Sequence, residues 1–128
     1  MSSLLSTMSS AASGMMSQSD RIRVVSENVA NIDTPGYRRK LLTFENALGA
    51  NGATVRTGPI SLDQSELSEN FDPSHPMANA EGYVTMSNVN LGVEIADARE
   101  AQRSYEANIS MFDQARKMYG GVLDLLRR

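Results

Sequence analysis

The sequence has no cysteine and no tryptophan, only one histidine, and few aromatic residues. Without cysteine there can be neither a disulfide framework nor a thiolate metal site, and the chain suits an oxidising or a reducing compartment equally. His75 stands before Pro76 in a run of turn residues and lacks the partners that a catalytic triad or a metal cluster requires, so it reads as a local structural contact. No glycine cluster is followed by Lys-Ser or Lys-Thr, which removes a phosphate-binding loop. No apolar run approaches the ~20 residues of a membrane-spanning helix, and direct membrane insertion is not expected. The N-terminus has no basic region followed by a continuous apolar one, so no cleaved secretory signal is expected either. Excess positive charge is missing too: 12 Lys and Arg against 15 Asp and Glu give a net charge of −3, the wrong sign for a general nucleic-acid binder. Asp63, Glu66, Glu69 and Asp72 recur every three residues, but without the loop glycine and ligand alternation of a calcium-binding loop they read as a solvated acidic face. No enzyme activity and no cofactor are expected.

What is present is helical periodicity at both ends. At 128 residues the chain can hold one modest core, packed mainly by Leu, Ile, Val and eight methionines. Residues 4–32 carry a seam in alternating steps of four and three: Leu4, Met8, Ala11, Met15, Gln18, Ile22, Val25, Val29 and Ile32. Leu5, Ala12, Met16 and Val24 widen it. A helix of that span is roughly 45 Å long at 1.5 Å per residue. Its first half is rich in serine, which competes for backbone hydrogen bonds, and Gly14 adds an entropic cost. Such a segment is expected to be largely disordered alone and to become helical when its seam finds a partner, the alternative being a helix folded back permanently on its own chain.

The second helix is expected to start after Asn90, a good N-cap, with Glu94 and Asp97 near the positive end of its dipole. Its seam is read as Leu91, Ile95, Ala98, Gln102, Tyr105, Ile109, Phe112, Arg116, Tyr119, Leu123 and Leu126, with Gln102 and Arg116 as polar exceptions beside Ala101 and Ala115. Val93, Met111, Met118, Val122 and Leu125 add apolar surface. Gly120-Gly121 is expected to fray or bend the last turns.

Between the helices the chain reads as a small, partly β insert. Arg38-Arg39-Lys40 looks like a solvated basic face. Leu41–Leu48 is too short for periodicity to choose between helix and strand. Gly49, Asn51 and Gly52 mark a turn, and Thr54–Thr57, Ile60–Leu62 and Tyr83–Met86 are candidate strands. The expected fold is mainly α: two long terminal helices packed as a coiled-coil-like pair, with the β-containing insert between them. The expected segments are 1–34 (N-terminal helix), 35–87 (turn and insert) and 88–128 (C-terminal helix), together one assembly domain. A helix pair buries one stripe on each helix, so the remaining apolar surface points to oligomerisation, and head-to-tail contacts would give an open filament.

The N-terminal helix is expected to stop in Asn28-Val29-Ala30-Asn31-Ile32-Asp33-Thr34-Pro35-Gly36-Tyr37. Thr34 before a proline is pushed out of the α region, and Pro35 and Gly36 suit the two central positions of a type II turn. Asn31 and Asp33 tolerate a left-handed helix end. This run resembles the N-terminal signature of the bacterial flagellar rod and hook proteins, in which an asparagine-rich helix end meets a Thr-Pro-Gly-Tyr turn. Asp72-Pro73-Ser74-His75-Pro76, Glu81-Gly82-Tyr83-Val84, Asn88-Val89-Asn90 and Ala101-Gln102-Arg103-Ser104-Tyr105-Glu106-Ala107-Asn108 are similar to signatures of the proximal-rod branch of that family.

The resemblance implies a structural subunit of the flagellar basal body. Such a subunit is exported without a cleaved signal by the flagellar type III apparatus. It then assembles into the proximal rod that crosses the periplasm and carries torque from motor to hook. The implied partners are copies of itself, other rod subunits, the rod–export-gate junction protein and the export apparatus. Asn28, Asn31, Thr34, Pro35, Gly36 and Tyr37 would fix the chain reversal. Helix-pair and inter-subunit contacts are expected from Leu4, Met8, Met15, Ile22, Val25, Val29, Ile32, Leu91, Ile95, Tyr105, Ile109, Phe112 and Leu123. The alternatives are another rod or hook axial component, or a soluble helical-hairpin adaptor or secretion-chaperone-like binder.

Overall fold

The computed structural model describes residues 2–49 and 52–127, so Asn51 of the expected turn and the terminal Arg128 lie outside the described residues. Helix α1 spans Ser2–Ala30 and helix α2 spans Leu91–Arg127, so α2 stays helical through Gly120-Gly121 instead of fraying there. Between them lie β1 (Lys40–Leu41), β2 (Phe44–Gly49), β3 (Gly52–Thr57), β4 (Ser61–Leu62), β5 (Glu69–Phe71) and β6 (Tyr83–Thr85). These strands form three antiparallel pairs, β1 with β4, β2 with β3 and β5 with β6. The ambiguous stretch after the basic run is therefore strand, held by six cross-strand pairs from Phe44 opposite Thr57 to Gly49 opposite Gly52.

The turn after α1 closes with the Tyr37 N–H donating to the Thr34 carbonyl at 3.1 Å, and Gly36 has φ +77° at the third position as a type II turn requires. No described non-glycine residue has a positive φ, so Asn31 and Asp33 do not end the helix in left-handed geometry. Instead the Asn31 side chain donates to the Glu27 carbonyl at 2.8 Å and accepts from the Thr34 hydroxyl at 3.1 Å. The Gly36 N–H donates to Thr85 at 3.1 Å, fastening the turn to β6. At the other end, Asn90 caps α2 through its side-chain oxygen, which accepts from the Val93 N–H at 3.2 Å.

The insert has almost no core of its own. Val84 is its one buried apolar side chain among the described residues, while Phe71 and Tyr83 meet edge to face at 5.3 Å on its exposed surface. Gly82, φ +88°, sits so that an added Cβ would lie 2.9 Å from the Phe71 ring and 3.1 Å from Pro73, whereas a Cβ on Gly36 would meet nothing within 4 Å. Gly36→Ala should cost about 1–2 kcal/mol, the penalty of left-handed geometry alone. Gly82→Ala should cost more, because the ring must also move, and thermal unfolding of the two variants will rank them.

Strand β3 is held to α1 by the serines that make α1 a weak helix. The Val55 N–H donates to Ser13 at 3.0 Å, the Val55 carbonyl accepts from Ser17 at 3.3 Å, and Ser10 donates to the Ala53 carbonyl. Asp20 accepts from the Thr57 hydroxyl at 3.4 Å. The ten-residue step from Ser10 to Asp20 rises about 15 Å along a helix. Four strand residues cover about 13 Å, so side chains on the helix stay in step with outward backbone groups on the strand. The open edge of β3 is covered in this way rather than left to pair with another chain.

Candidate functional site

Two features could do work in a mainly helical chain: the polar junction where both helices meet the insert, and the apolar surface the pair leaves uncovered. Asn28 and Glu94 are the centre of the first. Both are essentially sealed from solvent, at 1% and 0% exposure. Asn28 uses its full hydrogen-bonding capacity of two donors and two acceptor sites. Its amide nitrogen donates to the Lys40 carbonyl at 3.1 Å and to Glu94 Oε2 at 3.4 Å, and its oxygen accepts from the Tyr37 hydroxyl and the Lys40 N–H, both at 2.9 Å. Glu94 Oε1 accepts from Arg39 Nε, and Arg39 also approaches Asp63 at 3.7 Å. The junction joins the end of α1, the Thr-Pro-Gly-Tyr turn, β1, the loop at Asp63 and the start of α2.

The expected solvated basic face is therefore not what Arg38-Arg39-Lys40 forms. Arg38 donates to the Asp63 and Ser65 carbonyls, both at 3.1 Å, and Lys40 pairs with Glu27 at 2.8 Å. Three consecutive cations read from sequence as a charge run are all bound within the chain, Arg38 and Arg39 sharing the Asp63 loop while Arg39 also reaches Glu94 and Lys40 reaches Glu27, and no local pattern shows it. The acidic run is likewise divided. Asp63 pairs with Arg39 and accepts from the Ser65 N–H at 2.9 Å, while Glu66 and Glu69 are exposed. His75 makes a local contact, accepting from the Met77 N–H at 3.0 Å. No group of three or more metal-ligating side chains is found among the described residues.

On the alkaline side, titration of the junction has a definite sign. Burial pushes the Tyr37 hydroxyl above its ordinary value, and the hydrogen bond to Glu27 pushes the Lys40 ammonium up. Groups with raised folded values give stability that is complete below their ordinary range near pH 10 and lost as pH rises through the folded values. The urea midpoint should therefore hold to about pH 9 and fall above it, and Tyr37→Phe should remove part of that alkaline fall while costing roughly 1 kcal/mol at neutral pH.

The second feature follows from which residues α2 turns inward. Glu94, Ala101 and Ala115 are buried, and Ala98, Tyr105, Asn108, Phe112, Tyr119 and Val122 are half-buried. This inward stripe shares Ala98, Tyr105, Phe112 and Tyr119 with the period read from sequence, but its other members lie one residue earlier. The small residues Ala101 and Ala115 occupy the contact, and Gln102 and Arg116 are exposed. At Gly14 of α1 the Asn108 side chain lies over bare backbone: a Cβ there would stand 2.7 Å from its amide. Leu91, Ile95, Ile109 and Leu123, expected as contacts, are exposed along one side of the stripe. Met111, Met118 and Leu125 are exposed along the other, since one residue before or after a helical position is displaced by about 100°.

On α1, Val25 is buried and Leu4, Met8, Met15, Ile22, Val29 and Ile32 are half-buried. A groove of about 450 Å³ between the helices is lined by Ala12, Met15, Met16, Ser19, Asp20 and Tyr105. The pairs Gly14–Asn108 and Asn28–Glu94 set an antiparallel register in which Ser2 lies opposite Gly120. The last two turns of α2, with Leu125 and Leu126 exposed, thus extend past α1. Large apolar side chains left exposed on both sides of the inward stripe describe a helix pair with two further faces to cover.

Residues 8–38 match the family described as flagella basal body rod protein, and residues 80–125 match the family described as flagellar basal body rod FlgEFG protein C-terminal. Along nearly its whole length the chain is similar to proteins named flagellar basal-body rod protein FlgC. That of Agrobacterium fabrum is 41% identical over 126 residues, covering 91% of each chain. The chain belongs to the FlgC-type flagellar basal-body rod family. The relative from Salmonella typhimurium is 32% identical with 95% of this chain and 97% of its own covered, and that from Bacillus subtilis is 32% identical with 89% and 92% covered. Membership makes the chain a structural rod protein, not an enzyme, and places its assembly among other flagellar rod components. The two family matches fall on the turn with its preceding helix, which carries Asn28, and on β6 with most of α2, which carries Glu94.

Proposed function

We propose that this FlgC-type subunit builds the proximal rod by packing its two helices as a coiled-coil-like pair whose remaining apolar faces are covered by neighbouring subunits. The observation that carries this reading is the placement of Ile95, Ile109 and Leu123 on one side of the α1 contact and Met111, Met118 and Leu125 on the other. Two uncovered stripes on one helix call for two neighbours, as in the wall of a tube, and not for a single partner. The neighbours are copies of this chain, other rod subunits and the rod–export-gate junction protein. Export proceeds through the flagellar type III apparatus without a cleaved signal, and the assembled rod crosses the periplasm and transmits torque. The three chain segments act as one assembly domain. Within it Asn28, Asn31, Thr34, Pro35, Gly36 and Tyr37 hold the reversal, Tyr105 and Phe112 anchor the pair, and Ile109 meets the neighbour.

Ile109→Asp and Met118→Asp test this directly. Each is an exposed site, so the isolated variants should stay within about 0.5 kcal/mol of the parent in stability. They should be exported in normal amounts but be missing from purified basal bodies, and the cells should not swim. Normal incorporation of both variants sinks the reading. A parent protein that sediments as a small discrete oligomer and is itself absent from basal bodies points to a soluble adaptor instead.

A further inference from the structure

The α1–α2 contact is lined by residues that recur at heptad spacing, and such a seam has an ambiguity that apolar packing does not remove. Leu4, Ala11, Gln18 and Val25 repeat every seven residues on α1, as do Met8, Met15, Ile22 and Val29. On α2 the buried Ala101 and Ala115 are two heptads apart. Sliding one helix by seven residues sets similar side chains against each other again. In a molecule that assembles beside copies of itself, the same ambiguity would let the α1 of one copy pair with the α2 of another.

Three polar contacts break this degeneracy. Gly14, Arg21 and Asn28 are one heptad apart on α1, and each meets a different chemistry. Gly14 meets the side-chain amide of Asn108, which lies within 2.9 Å of where a Cβ would stand. Arg21 donates to Asp97 and reaches Glu100 at 3.3 Å. Asn28 donates to the sealed Glu94 at 3.4 Å. We propose that these three layers form a register key: small against amide, cation against carboxylates, amide against buried carboxylate. The key admits one alignment of the pair and keeps α1 with its own α2 during assembly.

Each slip fails at named residues. Moving α1 so that Arg21 comes opposite Glu94 brings Thr7 to Asn108, whose amide lies where the Thr7 side chain would stand and must be displaced. The same slip carries Asn28 past the start of α2. Moving it the other way sets Arg21 against Asn108 and away from Asp97 and Glu100, sets Asn28 against Ala101, and leaves Glu94 with no partner from α1. Polar groups buried in a helical seam can fix register even where they add little stability, since the wrong alignments strand them.

The absence of cysteine makes the test clean. Tyr105→Cys is combined in turn with Met8→Cys, Met15→Cys and Ile22→Cys in the full chain, with disulfide formation followed at low and high protein concentration. The key predicts that the 15–105 link, whose positions line one groove, forms within the chain at about tenfold or greater excess over the 8–105 and 22–105 links. In a background carrying Arg21→Leu, Asn28→Leu and Glu94→Leu, the slipped links should rise to comparable yield and links between copies should appear. Because that background removes three polar layers at once, Arg21→Asp alone and Arg21→Asp with Asp97→Arg give a second route. The single change should broaden the pattern and the double change should narrow it again. A parent with no preference for 15–105 overturns the proposal. So does an Arg21→Asp variant whose links remain confined to 15–105 within one chain. Neither result bears on whether the protein is found in basal bodies, which tests the rod reading by itself.

Discussion

Asn28→Ala should lower stability by about 3–5 kcal/mol, the largest loss expected from any single truncation in the chain. The side chain is small, and little of the loss comes from packing. Four groups lose a partner together: the Tyr37 hydroxyl, the Lys40 N–H, the Lys40 carbonyl and Glu94 Oε2. A buried polar group left without a partner costs about 1–3 kcal/mol, so even partial access of water leaves several kcal/mol missing. The fall in the urea midpoint should be on the order of 2 M. Asn28→Asp makes the comparison sharper. It keeps the acceptor for Tyr37 but removes the donor to Glu94 and sets a second carboxylate beside it. That carboxyl binds its proton more tightly in the fold than in the unfolded chain, so the variant should recover stability as pH falls. A loss below about 1 kcal/mol in Asn28→Ala would mean that the junction is not closed around this side chain.

That junction shows where sequence reading reached and where it stopped. The helix end at Asn28–Ala30 and the Thr34–Tyr37 turn were legible because Pro35 and Gly36 constrain the backbone locally, whatever they pack against. Asn90 was legible as a cap for the same reason. The partners of Asn28 were not, because Tyr37, Lys40 and Glu94 come together only when chain segments separated by the whole insert are closed. Glu94 reads from sequence as a favourable charge at a helix start, yet it is the most completely buried large side chain in the described chain. The serines of α1 misled in a similar way. Their low helix propensity is real, but Ser10, Ser13 and Ser17 are spaced to meet the backbone of β3, a role that depends on a strand more than thirty residues away. The α2 seam was half legible: its period was right, but the rule that large apolar residues mark the contact placed every second member one residue late. Along this contact Ala101, Asn108 and Ala115 alternate with Tyr105, Phe112 and Tyr119, and the large aliphatic neighbours of the small residues turn outward.

Ala101→Leu against Gln102→Leu decides between those two placements. By apolar periodicity alone, Gln102→Leu repairs a polar fault in the seam and should stabilise the pair, with Ala101→Leu close to neutral. The burial of Ala101, 0% exposed, requires the opposite order. A leucine there has no space to enter, since Ala101 and Ala115 are both sealed within the helix pair, with Asn108 over Gly14 between them. Overpacking at such a position costs about 2–3 kcal/mol, through displaced side chains and a widened pair. Gln102→Leu lies on the exposed side with Ile95 and Ile109, so its effect on isolated stability should stay within about 0.5 kcal/mol. Its effect should appear in association, because it joins Ile95 to Ile109 in a continuous apolar stripe on the face assigned to a neighbour. Sedimentation at rising concentration should show stronger self-association than the parent, and denaturation at low concentration should show no change. If Gln102→Leu raises the unfolding midpoint of the dilute chain and Ala101→Leu leaves it untouched, the helices meet on the large residues, and the outer faces inferred for assembly are the inner ones.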